Sequence, residues 1–385
     1  MSSAELSIER ENIIDTVGAF ARAEVAPRVR DYDRAETVPR DLLERMAELG
    51  FYGGTIPEKY GGLGLDHETY AMAIEEMSTV CHMMGLFMSM ASGLVGSGIL
   101  HYGNEDQIER YLTPLAQGKA FGGAGVTEPH SGTDVGAMET TVERSNGAYI
   151  LRGQKIFTSN LDIADFFVTF ATLDPKNPRK GVCAFVVPKD APGLTVRPFK
   201  DKLGFRPIAT GELVFDECRV PAENRLGEEG EGLRVAMCAV ENGRLSVAAR
   251  SVGVARACLE SSLAYARERV VFDQPIARLQ LVQSKITDMI VGSETAHLLL
   301  RRAAEALDQG QPARKLVSMA KMHASDVAMR SATEAMQIHG AYSCLDDYPV
   351  SRYFRDAKFL QIVEGTNDLH RAMIAELEFG YRPER

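Results

Sequence analysis

The hydrophobic period of this chain changes twice along its length. Up to about residue 120, apolar residues recur every three or four positions. Ile13-Ile14, Val17, Phe20-Ala21 and Val25 form one such row, and Leu42-Leu43, Met46 and Leu49 another, stopped by Gly50. From about 121 the runs become short and alternating: Tyr149-Ile150-Leu151, Phe166 to Phe170, Val182 to Val187, Leu194 to Val196, Leu213 to Phe215. Turn residues separate them, notably Asp174-Pro175-Lys176-Asn177-Pro178 and Ala191-Pro192-Gly193. From about 229 the helical step returns, with Leu279, Val282, Ile286 and Met289 prolonged by Leu298 to Leu300. After a break at Gly310 and Pro312, Leu316, Met319, Met322 and Val327 follow. A pattern of one period does not settle into the other element. The expected fold is therefore α+β: an N-terminal helical domain (1–120), a middle antiparallel β domain (121–228) and a C-terminal helical bundle (229–385). No strands alternate with long helices, so a Rossmann fold is excluded.

Composition narrows the function classes. The net charge of −10 argues against nucleic acid as a partner. The six cysteines, Cys81, Cys183, Cys218, Cys238, Cys258 and Cys344, form no CxxC pair, and the eight histidines form no HxxxH or HxH pair. No metal site is expected, and reduced thiols in a cytoplasmic setting are. The N-terminus is polar and charged, so no signal peptide is visible, and no apolar run approaches membrane-spanning length. The glycine-rich Pro57 to Gly64 lacks the flanking strand and helix of a phosphate-binding loop and reads as a connection.

Two stretches carry chemical interest. Tyr70 to Leu100 is helical and sulfur-rich, with Met72, Met77, Met83, Met84, Met88 and Met90 beside Leu86 and Phe87. Such a stretch serves as core, or as an adaptable wall for an apolar acyl group. It carries no Arg or Lys from Cys81 to Leu100, which disfavours a substrate with a second carboxylate. Near the end, Gln361 to Arg371 places Glu364 after an apolar-leaning run and before Gly365, with Thr366 able to cap a helix. Glu364 then lies on a short bend, where a carboxylate against apolar neighbours is a candidate general base and a surface turn is the plainer alternative.

Seven separated stretches, taken together, resemble the acyl-CoA dehydrogenase family. They are Val126-Thr127-Glu128-Pro129-His130-Ser131-Gly132-Thr133-Asp134, Lys155 to Asn160, Leu203 to Arg206, Val220 to Gly227, Arg269 to Ile276, Met336-Gln337-Ile338-His339-Gly340, and Glu364-Gly365-Thr366. Their order and spacing match over nearly the whole chain.

The resemblance implies a noncovalent FAD enzyme that oxidises an acyl-CoA thioester between its α and β carbons. It further implies a homotetramer built as a pair of dimers, and an electron-transfer flavoprotein as electron acceptor. Glu364 is then the base, with its backbone N–H and a ribityl hydroxyl as donors to the thioester oxygen, and burial should raise its pKa. Some members place the base on the first helix of the last domain. The matching position here is Gly243, and Glu241 lies about 200° around that helix. Glu241 and Arg244 are implied as CoA contacts. Val126, Thr127, Phe157 and Ser159 are implied around the flavin ring, and Thr133 near the flavin phosphates or the CoA arm. Arg269, Phe272, Gln280, Gln337 and Gly340 fall on the adenine-dinucleotide half, of an FAD in a neighbouring subunit. Thr366 and Asp368 would face FAD from within. Met84, Met88, Val363 and Gly365 are expected to line the substrate. Phe157, Ser159, Asp368, Ala341, Asp273 and Ile208 depart from the residues common at their positions. Val363 is smaller than the Tyr of several straight-chain members, which leaves a branched or cyclic acyl group open. An oxidase or an enoyl-CoA reductase on the same scaffold is the other alternative.

Overall fold

The computed structural model describes residues 3–380. The first part is helical: α1 (Ser3–Phe20), α2 (Val29–Ala35), α3 (Arg40–Glu48), α4 (His67–Met88), α5 (Gly96–Tyr102) and the short turns α6 (Glu105–Gln107) and α7 (Thr113–Ala116). Asp66 caps α4 by accepting the Thr69 N–H at 2.6 Å. The helix breaks at Cys81, whose φ of −152° and ψ of 102° are extended.

The middle part holds β1 (Gly122–Gly125), β2 (Thr141–Ser145), β3 (Ala148–Thr158), β4 (Phe166–Thr172), the turn α8 (Pro178–Gly181), β5 (Val182–Pro188), β6 (Leu194–Pro198), β7 (Gly211–Pro221) and β8 (Arg225–Leu226). They form one sheet in the order β6-β7-β3-β2-β4-β5-β8, with β1 added on β4. The expected antiparallel pairing holds, including β4 with β5, except that β4 runs parallel to β1 from Gly122↔Phe166 to Gly125↔Thr169 and meets β2 in one parallel pair. Every residue of β4 is buried. Phe166, Val168 and Phe170 enter a large core shared with the helices, whereas Phe167 and Ala171 enter a smaller core with Phe185, Leu213 and Phe215. Period-two alternation thus serves two cores at once, which explains the unbroken apolar run.

The last part is built on α9 (Gly232–Glu268), followed by the β9 (Val270–Val271) and β10 (Gln274–Pro275) hairpin, α10 (Gln280–Asp308), α11 (Arg314–His339), α12 (Val350–Leu360) and α13 (Asn367–Phe379). Helix α9, about 55 Å long, packs against α4, α10, α11 and α12. Small residues let α4 and α9 approach closely: Ser246 Oγ lies 2.7 Å from Ser89 Oγ, and a side chain at Gly253 would meet Ser78. The large residues expected to fill the bundle core do not all do so. On α10, Leu281 is 81% exposed and Ile290, Val291 and Leu298 are about half exposed. The buried row of α11 is Val317, Ala320, Lys321, Ala324 and Ala328 rather than Leu316, Met319 and Met322.

The three parts meet at Asp356 of α12. Its Oδ1 accepts the Phe205 N–H at 2.8 Å, and its Oδ2 lies 3.1 Å from His82 Nε2 at the α4 break. Among the described residues no helix is long and apolar enough to cross a membrane, and no cluster could hold a metal. All six cysteines are unpaired.

Candidate active site

The loop between α12 and α13 forms the expected bend. The N–H groups of Ile362 and Val363 both donate to Phe359 O, at 2.9 and 3.0 Å, and Asn367 N–H donates to Gln361 O at 3.0 Å. Thr366 Oγ1 caps α13 through the Leu369 N–H, 3.3 Å away. Two left-handed residues follow one another, Glu364 at φ +56° and Gly365 at +93°. Glycine takes this conformation freely, but for glutamate it costs about 1–2 kcal/mol. The surroundings hold that strain in place.

Those surroundings are cationic and buried. Arg244 Nε donates to Glu364 O at 3.1 Å. Lys321 Nζ donates to Gly365 O at 2.8 Å and to Asn367 Oδ1 at 2.9 Å. Asn367 is fixed in turn, donating to Ser325 Oγ and Asp326 Oδ1. Arg244, Lys321 and Arg250 are 5%, 0% and 4% exposed. The Glu364 carboxylate rests on Gly243, where a Cβ would come within 2.9 Å of Oε1. Loss of hydration pushes the Glu364 pKa up, and Arg244, Arg250 and Lys321 pull it back. Burial lowers Lys321 to about 7 and Arg250 to about 10. The buried His370 falls to about 3 and is neutral.

A second surface lies on the middle part. Thr127 O accepts the Ile156 N–H at 2.8 Å, which lays Val126 and Thr127 beside the end of β3. A buried ion pair, Lys155 Nζ to Glu128 Oε1 at 2.6 Å, clamps the same strip, and Glu128 also accepts the Glu139 and Thr140 N–H groups. At the strand end Phe157 is left-handed, at φ +57°. That turn holds its ring 63% exposed, edge-on to Phe199. Ser159 follows, half-buried, while Thr133 sits exposed on the next loop.

The third set lies where α9 and α11 end together, with Tyr265 stacked on His339 at 4.3 Å. Arg269, Phe272, Gln280, Gln337 and Gly340 are all exposed, Phe272 at 88%. The Arg269 guanidinium lies over Tyr342, 5.7 Å from the ring centre.

The geometry bears on several expectations. Arg244, expected on CoA, is buried, and its Nε donates to the Glu364 carbonyl. Met84 and Met88 were expected as an acyl wall but are core. Met84 lines a small cavity with Val25, Val29 and Tyr32, and the residues that meet α9 are Gly85 of α4 and, just beyond its end, Ser89 and Gly93. One residue along a helix turns the side chain by about 100°, enough to swing both methionines off that seam. The lack of a cation on α4 is also offset, because Arg250 reaches the seam from α9. The Asp368 side chain is 97% exposed, its carboxylate 3.6 Å from Arg371. Val363 and Glu241 are half-buried. Lys321, Arg250 and the Glu128–Lys155 pair were missed. The available signal was a charged residue on an otherwise small-residue helical stripe.

A helical–β–helical chain with an open aromatic face on its sheet and a half-buried carboxylate on its last bend is a flavin-dependent dehydrogenase. The chain belongs to the acyl-CoA dehydrogenase family: its N-terminal domain matches residues 7–119, its middle domain 123–218 and its C-terminal domain 230–378. It is 41% identical over 361 residues to an acyl-CoA dehydrogenase of Bacillus subtilis, covering 94% of this chain and 95% of the relative. The structure of butyryl-CoA dehydrogenase from Megasphaera elsdenii aligns with TM-score 0.93 and 36% identity, over 96% of this chain and 98% of that one. A chain in a structure described as "Electron transferring flavoprotein of Acidaminococcus fermentans: Towards a mechanism of flavin-based electron bifurcation" aligns with TM-score 0.93 and 40% identity, over 96% of this chain and 97% of that one. The protein is accordingly an FAD-dependent oxidoreductase of acyl-CoA thioesters. Its residues fit that cofactor: an apolar ring held open at Phe157 beside the Val126–Thr127 backbone, and an exposed guanidinium at Arg269 suited to a diphosphate.

Proposed function

We propose that Glu364 is the general base of an acyl-CoA α,β-dehydrogenation. The observation that carries this reading is the carboxylate itself, resting on the bare backbone of Gly243, desolvated, and within the field of Arg244, Arg250 and Lys321. The raised pKa suits proton transfer near neutrality, and the cations keep an ionised fraction available. The α-hydrogen of a thioester is a very weak acid, so the carboxylate must reach the α-carbon in a site that excludes water. FAD, when bound, supplies the acceptor for the β-hydride. Among the described residues no backbone acceptor takes the Glu364 N–H. It is free to donate to the developing enolate oxygen, and one such donor is worth about 3–4 kcal/mol in comparable sites.

Val126, Thr127, Phe157 and Ser159 form the ring platform in this reading. Arg269, Phe272, Gln280, Gln337 and Gly340 bind the adenine half of an FAD shared with a neighbouring subunit, and Thr366 faces FAD from within. The exposed Leu281, Ile290, Val291 and Leu298 of α10 support a homotetramer. The A. fermentans relative supports an electron-transfer flavoprotein as acceptor, and the M. elsdenii relative supports a short acyl chain. Unpaired cysteines support a reducing, cytoplasmic setting. The test is Glu364→Gln, assayed by anaerobic bleaching of the flavin with acyl-CoA. Bound FAD should be retained and the bleaching rate should fall about 10²–10⁴-fold; full bleaching would remove Glu364 from the role.

A further inference from the structure

Arg250 is a buried guanidinium with no group to hold. It is 4% exposed, and its Nε and Nη1 have no hydrogen-bond partner. No carboxylate forms an ion pair with it among the described residues, since nearby Asp356 is engaged by His82 and the Phe205 N–H. The Phe205 ring lies on one side, 5.9 Å from the guanidinium carbon. The backbone of Gly85 lies on another, where a Cβ would come within 3.2 Å of Arg250 Cγ. A dry, unpaired charge is costly, and this one persists at the heart of a well-packed seam.

Its place relative to the base gives that charge a use. Gly243, under the Glu364 carboxylate, and Arg250 are seven positions apart on α9. That separation is two helical turns, about 10 Å, and side chains on a helix lean towards its N-terminus. The guanidinium therefore leans back towards the base, and its charge acts on both Glu364 and Lys321.

We propose that Arg250 forms the far end of the acyl subsite and that the acyl group it receives ends in a carboxylate, making the substrate a short dicarboxylic acid joined to CoA at one end. A planar fork matches a carboxylate with two parallel hydrogen bonds. The α-carbon would sit at Glu364 and the free carboxylate a few carbons further along α9. This inference rests on the dehydrogenase reading.

The experiment compares glutaryl-CoA with pentanoyl-CoA, equal in carbon number, in the FAD-loaded protein and in Arg250→Met and Arg250→Lys. Anaerobic flavin bleaching gives kcat/KM, and binding is read from the flavin spectrum in the Glu364→Gln background. The glutaryl-to-pentanoyl ratio should favour glutaryl in the unaltered protein. It should fall about 10–150-fold in Arg250→Met, the range for loss of a charged hydrogen bond, and recover in part in Arg250→Lys. A ratio near one in all three, with pentanoyl-CoA bleaching the flavin of the unaltered protein, overturns the subsite and leaves the dehydrogenase intact. Bleaching by neither thioester in the unaltered protein removes the dehydrogenase reading instead. Loss of FAD in Arg250→Met, rescued by lysine with no change in the ratio, assigns the charge to the cofactor and also overturns the proposal.

Discussion

The loop around Glu364 and the surface around Arg269 are both rich in charge, yet they are built in opposite ways. At the loop every charge is enclosed: Arg244 and Lys321 hold carbonyls on either side of the bend, and Asn367 passes the restraint on to Ser325 and Asp326. At the end of α9 the matching residues lie open, with Phe272, Leu281 and Tyr342 exposed around Arg269. One chain completes the first region. The second leaves apolar residues exposed, which the proposed neighbouring subunit would cover. In the reading proposed above, the contrast teaches that reactivity is set within the subunit, whereas cofactor retention depends on what lies against it.

The sharpest way to break the contrast is to give Gly243 a methyl group. In Gly243→Ala the new Cβ would press on the Glu364 carboxylate. Turnover should fall about 10²-fold, as displacements near 1 Å do elsewhere, while flavin content stays unchanged by absorbance. Lys321→Met removes the amine that holds Gly365 O and Asn367. Leaving buried acceptors dry costs about 1–3 kcal/mol, measurable by urea unfolding of the flavin-loaded protein. The same change removes a positive charge that favours ionised Glu364. The pKa of the base should rise, so the limb where activity grows with pH should move to higher pH. At the open surface, Arg269→Ala should weaken FAD binding about tenfold or more, the scale of one charged hydrogen bond, with the base pKa unmoved in reconstituted protein. Asp368→Asn should be smallest, within about 0.5 kcal/mol of the parent in stability, because the side chain is almost fully exposed.

Much of this could be read from sequence where the signal is local. The two changes of period located the strands, and Thr366 announced the start of α13. Glu364 on its bend was legible from the glycine and the cap that follow it. The methionines misled, because periodicity identifies a buried face without saying which neighbour buries it. Met84 lines a cavity shared with Val25 and Val29, while glycine and serine, silent in a hydrophobic pattern, form the seam with α9. Arg250 and Lys321 were invisible for a related reason. A cation on a small-residue stripe reads as solvated until a tertiary partner, or the lack of one, is seen. The outward-facing apolar residues of α10 likewise look like core in a single chain's pattern.

Gly243 and Glu364 also constrain how this protein can change over generations. With Glu364 as the base proposed above, a side chain gained at 243 collides with the carboxylate, and a carboxylate lost at 364 leaves no base, so each single step is harmful alone. Glycine at 364 would relieve a left-handed backbone, and a glutamate at 243 would occupy the room it vacates. The two positions therefore form an epistatic pair. The base can migrate from the bend to α9 only by a coordinated exchange across the same small gap, and a lineage that has made one arrangement is separated from the other by a valley in fitness.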